Sequence, residues 1–472
     1  MKSSKWVPDL AQFPGTRYQA LANAIESGIK SAQLKPDERL PTHRFLADAL
    51  GVTVGTVTRG YAEAESRGLV YAVVGRGTFV RPLGTAPSAP AEGLIHGLRI
   101  DEPSSDVIDL SLNLPVTADK AADLAQAMGN LAQHPAEMNR LLCYQPEVGM
   151  AQHRRSLADW FSRSDWEINP DDTIIVQGAQ HGILVTLMAL TRPGDILLTE
   201  GLTYPGLTAI TQQMKLETKG LPMDAEGIVP EALEAACQKY SPRLLYCIPV
   251  LQNPTTVVMS PARRAQVIDI CKKYQVMILE DDIYAQLLSQ APAPMASMAP
   301  EAVIYVSSVS KTLSPGLRVG LVVAPPLWRD RIAAAVRASC WMTSPISVAL
   351  VCEWIHSGLA ATQLQQQRDE MYRRHTLARE ILGDASYDAC IPGFHIWLKL
   401  PETWRAGEFV REAAQRKILL KAAGVFAVGH FDAPHAVRIA LSGASDMPSL
   451  QTALETLRTM LDDGPSLALS VV

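Results

Sequence analysis

Lys311 lies in the run Ser307-Ser308-Val309-Ser310-Lys311-Thr312-Leu313-Ser314-Pro315-Gly316-Leu317-Arg318. The apolar stretches 302–306 and 319–324 flank it and read as buried strands. A lysine between two core strands loses solvent. Desolvation lowers an amine's pKa towards the uncharged, nucleophilic form that makes Schiff bases. The hydroxyl of Ser308, three residues before it, and the cation of Arg318, seven after, suit a phosphate. An amine beside a phosphate site suggests pyridoxal 5'-phosphate held on Lys311. Taken alone, the stretch fits a lysine in a polar loop equally well.

Other residues could serve the same chemistry, and each sits where an apolar run ends. Gly178-Ala179-Gln180 follows 173–176 and opens a helical pattern, so the free N–H groups of Ala179 and Gln180 could bind phosphate. Tyr204 follows 196–199 and could stack on a flat ring. Asn253 follows 244–248 and could bond a ring hydroxyl, as could Tyr284. Asp281 follows 276–279 and offers a carboxylate to a pyridine nitrogen, which keeps that nitrogen protonated and the ring an electron sink. Singly, an Asp at a strand end is more often a cap, and Asn-Pro more often a turn.

The elements that must position these residues alternate between short apolar runs and helical patterns such as 261–274, which predicts an α/β body with a mostly parallel sheet. Open sheets of that kind bind ligands beyond the carboxyl ends of their strands. A long helix is expected over 363–382. From about residue 384 a smaller α/β domain is expected, with strands at 394–400, 418–422 and 436–441 and helices at 405–415 and 448–461.

The 472 residues exceed one ordinary domain. The seven cysteines (143, 237, 247, 271, 340, 352, 390) are scattered and form no CxxC, which points to reduced thiols in a cytoplasm and to no metal site. No apolar run reaches the roughly 18 residues of a membrane span, and Met1 to Leu10 contains no signal-peptide pattern. Net charge is −5 and unevenly spread: residues 1–83 carry 11 Lys and Arg against 7 Asp and Glu, the remainder 32 against 41. A basic head on an acidic body suggests that the head meets an anionic partner.

In that head, Tyr18, Leu21, Ala22, Ile25 and Ile29 recur at helical spacing. Thr42 is placed to cap a short helix, His43 to Leu50, closed by Gly51. Thr53 starts the next helix, with Val54, Val57, Tyr61 and Ala64 as its buried stripe and Gly55, Thr56 and Arg59 outside. Gly68 ends it, and Leu69 to Val80 reads as a hairpin turning at Gly75-Arg76-Gly77. Three helices and a hairpin make a winged helix-turn-helix, whose second helix of the pair enters the major groove. Domain limits of 13–82 for the head, 83–106 for a Pro- and Ala-rich linker and 107–462 for the body follow. The linker would span roughly 25–30 Å if flexible. Residues 463–472 have no assignable role.

The head resembles the GntR-type winged helix in Leu40-Pro41-Thr42-His43-Arg44, Leu46-Ala47, Leu50-Gly51-Val52-Thr53, Thr56-Val57, Tyr61, Gly68-Leu69 and Gly75-Arg76-Gly77-Thr78-Phe79-Val80. The resemblance implies double-stranded operator DNA as partner. Contacts would come from Arg44, the start of the recognition helix and the wing, with Arg39 near phosphate. The family often has arginine and a polar residue where this chain has Val54 and Gly55. The DNA-contact candidates are therefore Arg39, Thr42, Arg44, Thr53, Thr56, Arg59, Arg76 and Gly77.

In the body, Gly178–Gln180, Tyr204, Asn253, Asp281, Tyr284, Ser308, Lys311 and Arg318, taken in order, resemble the aminotransferase-like fold of pyridoxal-phosphate enzymes (fold type I) over nearly all of 107–462. The resemblance implies Lys311 as Schiff-base lysine, Asp281 on the pyridine nitrogen, Asn253 and Tyr284 on the ring oxygen and Tyr204 stacked on the ring. Ser308, Arg318 and the Ala179 and Gln180 backbone would hold the phosphate. It also implies Arg438 as the grip on an effector's carboxylate, and Tyr144 as a group reaching the partner subunit's cofactor. Thr256 stands where the usual motif has glycine.

Head, linker and body together resemble the MocR subfamily of GntR-type bacterial regulators. That resemblance implies a cytoplasmic homodimer, arranged head to tail, that senses pyridoxal phosphate, an amino acid or amine, or both. A working aminotransferase is the alternative, and a body that only dimerises is a third.

Overall fold

The computed structural model describes residues 6–13, 15–31, 33–66, 69–73, 77–81, 106–116, 120–429 and 431–465. Arg76, Gly68, the linker up to residue 105 and the last seven residues lie outside the described residues. The chain divides into two compact units, Met1–Ile100 and Asp101–Val472.

The first unit has helices Arg17–Lys30, His43–Leu50 and Val54–Ser66, then antiparallel strands Val70–Val73 and Gly77–Val80. Leu21, Ala22, Ile25, Leu34, Leu40, Leu46, Val57, Tyr61 and Val80 form its core. The caps are the expected ones. Thr42 Oγ1 accepts from Phe45 N at 3.4 Å, and Gly51 closes that helix at φ 62°. Thr53 Oγ1 accepts from Thr56 N at 3.2 Å and so starts the next helix. Val54 departs from the expected stripe: it is 45% exposed, while Val57, Tyr61 and Ala64 are buried. It lies in the helix's first turn, beside the exposed Thr53 and Gly55.

The second unit is built on a seven-stranded sheet. Its order is Thr173–Val176, Gly320–Val323, Val303–Ser308, Met277–Asp281, Leu244–Cys247, Ile196–Glu200, Glu217–Leu221. Only Gly320–Val323 runs antiparallel to its neighbours. The strands Thr173–Val176, Leu244–Cys247 and Val303–Ser308 are buried along their length, which is why they read as continuous apolar runs and not as alternation. Asp281 and Ser308 are the last residues of their strands and do not follow them, so their backbones are fixed in the ladder. The helix Leu359–Leu382 leads into a smaller lobe.

That lobe holds an antiparallel sheet ordered Tyr387–Ala389, Ile396–Lys399, Ala436–Ile439, Lys421–Ala422. The expected strand 418–422 is two strands. Ile418–Leu419 pairs in parallel with Ile108–Asp109, and Lys421–Ala422 pairs with Ala436–Ile439. The lobe therefore does not consist of residues beyond 384 alone. The first stretch after the linker completes it, with Leu110 buried in the same core as Phe394, Ile396, Trp404 and Ile439. Among the described residues no single helix is long and apolar enough to cross a membrane.

The Gly178 turn, which opens the helix Ala179–Leu190, crosses directly over Gly320. A Cβ on Gly320 would stand 2.7 Å from the Ser307 carbonyl oxygen and 3.0 Å from the Gly178 backbone. Backbone on both sides cannot yield as a side chain can. Gly320→Ala is therefore expected to cost roughly 1–3 kcal/mol, read as a lower thermal midpoint of the body, and to displace the Gly178 turn with it.

Candidate functional site

Lys311 follows the strand Val303–Ser308, half-buried, and its Nζ donates to the Asn113 carbonyl at 2.6 Å. Burial lowers its pKa to about 8, Arg438 and Arg318 act in the same direction, and Asp281 opposes them. The shift raises the uncharged share of this amine to about a tenth at pH 7, the state a carbonyl-attacking amine needs. The same charges act on Tyr204, whose hydroxyl titrates above its usual value through burial and Asp281. Lys311, Asp281, Tyr204, Arg318 and Arg438 thus share one site.

Asp281 ends the central strand and is 2% exposed. Tyr246 donates to its Oδ2 at 2.6 Å, while Oδ1 has no partner among the described residues. A buried carboxylate oxygen without a donor is costly, and a protonated ring nitrogen is the kind of group that would satisfy it. Asn253 and Tyr284 are both buried. Asn253 Oδ1 accepts from Arg438 Nη1 at 2.7 Å, and the Tyr284 oxygen accepts from Asn113 Nδ2 at 2.9 Å.

The phosphate candidates converge at the Gly178 turn. Gly178 has φ 77°, and a Cβ there would lie 2.9 Å from Arg318 Nη2. Only glycine admits this guanidinium to the turn that precedes the free N–H groups of Ala179 and Gln180. Arg318 is itself left-handed (φ 51°) and donates to the Gln177 carbonyl at 3.1 Å. Ser308 is buried and accepts from Ser310 N at 3.4 Å. The Ser310 hydroxyl is buried without a partner among the described residues. Cation, helix terminus and open hydroxyl fit a phosphate, and with Lys311 and Asp281 the set fits pyridoxal phosphate.

Arg438 is 5% exposed and lies over the Phe426 ring, 5.0 Å from its centroid. Burial lowers its pKa to about 10. Its Nη2 donates to the Ser111 carbonyl and its Nε has no partner among the described residues. Beyond the bonds to Ser111 and Asn253 the guanidinium keeps N–H groups, Nε among them, that a carboxylate could take. Tyr144 is not part of this cluster. It is 81% exposed, with its ring 5.5 Å from that of Trp341, which is also exposed. Thr256 is buried at φ 66°, so the position usually held by glycine keeps glycine's conformation with a β-branched residue in it. Sequence reasoning missed Asn113, His395 and Ser310. Of these only Ser310, two residues from Lys311, carried a local signal.

In the first unit, Thr42, Arg44, Thr53 and Arg59 are exposed and Thr56 is half-exposed. Thr53 and Thr56 bond each other through their hydroxyls at 2.9 Å, and Thr42 and Thr53 are engaged as caps. Arg44 and Arg59 are the exposed cations of the two helices. Arg39 pairs with Phe79 of the second wing strand, and its guanidinium lies against Gly77, where a Cβ would meet Nε at 2.7 Å.

Burial raises the Asp281 carboxyl from 3.8 to about 6. A folded-state pKa above the unfolded one means that stability is fully present below about pH 4 and is lost as pH rises through 6. Asp281→Asn removes the buried charge. The cofactor-free variant is expected to exceed the parent in stability by about 1–3 kcal/mol at pH 8, with no gain at pH 4. Urea unfolding at the two pH values measures this.

The profile of class I and II aminotransferases matches residues 105–457, and that of the bacterial regulatory proteins of the gntR family matches residues 17–80. The chain is 30% identical over 459 residues to the uncharacterized HTH-type transcriptional regulator YdeF of Bacillus subtilis, covering 97% of each chain. It is 28% identical to YisV of the same organism, over 98% of this chain and all of that one. Among solved structures, the α-aminoadipate aminotransferase LysN of Thermus thermophilus superimposes with a TM-score of 0.69 at 23% identity. That match covers 76% of this chain and 92% of LysN, and it shows the fold. With both profiles in one chain and a relative matched end to end, the protein belongs to the MocR subfamily of GntR-type bacterial regulators, a winged helix-turn-helix joined to an aminotransferase-like domain.

Proposed function

We propose that this protein binds operator DNA through its winged helix and senses pyridoxal phosphate, with an amino acid or amine, in its aminotransferase-like body. The observation that carries the reading is the buried, half-satisfied Asp281, placed in one site with a lysine of lowered pKa and an arginine seated on a helix-opening glycine turn. Bound there, the cofactor supplies an aldehyde and an electron-withdrawing ring. Lys311 offers the uncharged amine. Asp281 Oδ1 holds the proton at the ring nitrogen. Asn253 and Tyr284 meet the ring oxygen, and Tyr204 packs on the ring face. Ser308, Arg318 and the Ala179 and Gln180 N–H groups hold the phosphate. Arg438, whose Nε has no partner among the described residues, takes the effector's carboxylate as a bidentate pair.

The exposed Tyr144 and Trp341, with the exposed Leu142 close by in sequence, support a homodimer in which this face meets a second copy. An effector shifts DNA affinity only by its differential affinity for the two states of the body, on the order of 1–3 kcal/mol. A second reading, a working aminotransferase, is favoured by the completeness of the set: amine, ring-nitrogen carboxylate and carboxylate grip. Sustained amino transfer to a 2-oxo acid would establish it.

The test is binding to the protein's own upstream DNA, by fluorescence anisotropy at fixed salt, with and without pyridoxal phosphate. Lys311→Ala is expected to lose the cofactor's visible absorbance and the cofactor's effect on DNA affinity, while cofactor-free binding is unchanged. A retained effect would refute the reading. Arg44→Ala and Arg59→Ala are each expected to weaken DNA binding and, where the residue meets phosphate, to lower the slope of log affinity against log salt by about 1. Titrations at several salt concentrations check this.

A further inference from the structure

The stretch Leu110–Asn113 is held rigidly beside the site. Leu110 N donates to the Leu419 carbonyl at 2.9 Å, Ala440 N donates to the Leu110 carbonyl at 2.8 Å, and Ser111 N donates to Asp109 Oδ1 at 2.8 Å. Gly443 packs so close that a Cβ would stand 2.3 Å from the Asp109 carbonyl oxygen. Asn113 is presented on this frame, 6% exposed. Its backbone carbonyl accepts from Lys311 Nζ. Its side-chain Nδ2 donates both hydrogens, one to the Tyr284 oxygen at 2.9 Å and one to His395 Nδ1 at 3.0 Å.

The partners fix the direction of these bonds. His395 is 1% exposed, and burial holds its pKa well below the ordinary value, so its ring is neutral. With Nδ1 accepting, its proton sits on Nε2. An amide nitrogen only donates, so with Nδ2 between them both His395 Nδ1 and the Tyr284 oxygen accept from Asn113. A phenol oxygen that accepts a hydrogen bond from Asn113 leaves its own proton free for another acceptor.

We infer that Asn113 is a positioning residue: its amide, oriented by His395, fixes Tyr284 as a hydrogen-bond donor to the cofactor's ring oxygen, while its carbonyl seats Lys311. The inference rests on the reading of this site as a pyridoxal-phosphate site. Tyr284 also lies in the fields of Arg438, Asp281 and Tyr204, and substitution of Asn113 leaves all three in place. A donor to the ring oxygen stabilises negative charge there and so lowers the bound cofactor's proton affinity.

The test is the pH midpoint of the bound cofactor's visible absorbance in the full-length protein. Asn113→Ala is expected to raise it by about half a pH unit or more. Asn113→Asp, whose carboxylate accepts the Tyr284 proton, is expected to raise it further. In a Tyr284→Phe background Asn113→Ala should add nothing, an outcome that a merely structural role would not produce. If the parent protein takes up cofactor and the midpoint of Asn113→Ala is unmoved or lower, the inference is overturned and the reading of the site stands. If the parent takes up no cofactor, the reading fails, and 13C NMR of tyrosine Cζ in the cofactor-free protein decides the inference. The Tyr284 resonance, identified by its loss in Tyr284→Phe, is expected to shift in Asn113→Ala. An unshifted resonance overturns the inference.

Discussion

Three consecutive carboxylates, Glu280-Asp281-Asp282, stand buried at the end of the central strand, and the site depends on how they are divided. Side chains alternate across a strand, so Glu280 and Asp282 face one way and Asp281 the other. The outer two each have an arginine, although Asp282 Oδ1 has no partner among the described residues. Glu280 accepts from Met295 N and Ala296 N at 2.8 and 2.9 Å and lies 3.6 Å from the buried Arg264, while Asp282 takes Arg163. Asp281 receives the Tyr246 hydroxyl and no guanidinium. A fold that supplies arginines to two neighbouring acids and none to the third leaves one charge to be met from outside. Burying an unmatched charge is destabilising, and that position is where a cationic ring nitrogen would recover the cost.

The site's cations show the converse. Lys311 and Arg438 donate to the backbone carbonyls of Asn113 and Ser111, and Arg438 also to Asn253. A group bonding to the Lys311 amine would therefore compete with a hydrogen bond to a stretch of chain. A hydrogen bond to a charged group contributes about 1.5–3 kcal/mol, so the loss of one is on the scale of allosteric coupling. That stretch begins a few residues after the linker and is stitched into the small lobe through Ile108–Asp109. The site and the small lobe thus share one set of hydrogen bonds.

The winged helix was legible because its signals are local: a three-and-four spacing in Leu21, Ala22 and Ile25, a Thr42 cap, a Gly51 stop. The body's strands were legible as apolar runs, and Asp281, Ser308 and Lys311 stood out because the ends of such runs are where open sheets bind ligands. Asn113 and His395 were not legible. They meet across 282 positions of sequence, and Asn113 acts on Lys311 through its backbone, which every residue type has. Val54 was misassigned because spacing places a residue on a helix's apolar stripe without saying how far along the helix the core extends. The division at Leu420 was hidden for a related reason. A single short strand pattern does not reveal that its first half pairs with one partner strand and its second half with another.

Thr256 shows what the site maintains at a cost. A β-branched residue in the left-handed region is strained by roughly 1–2 kcal/mol. It persists here because the surrounding loop is over-determined. Gln252 donates through Nε2 to the Leu202 carbonyl at 2.7 Å, accepts at Oε1 from Thr255 N and Oγ1 at 2.9 and 2.7 Å, and accepts at its own carbonyl from Thr256 N at 2.7 Å. Asn253, held between these residues, has no freedom to swing towards or away from the ring. What can change at this side of the site is the partner of Asn253, not its place. Its Oδ1 holds Arg438, the residue proposed above to take an effector's carboxylate. A rigid asparagine and a buried guanidinium make the small lobe's grip depend on what occupies the site. That dependence is what a sensor requires of an aminotransferase-like fold, whether or not the fold also turns over.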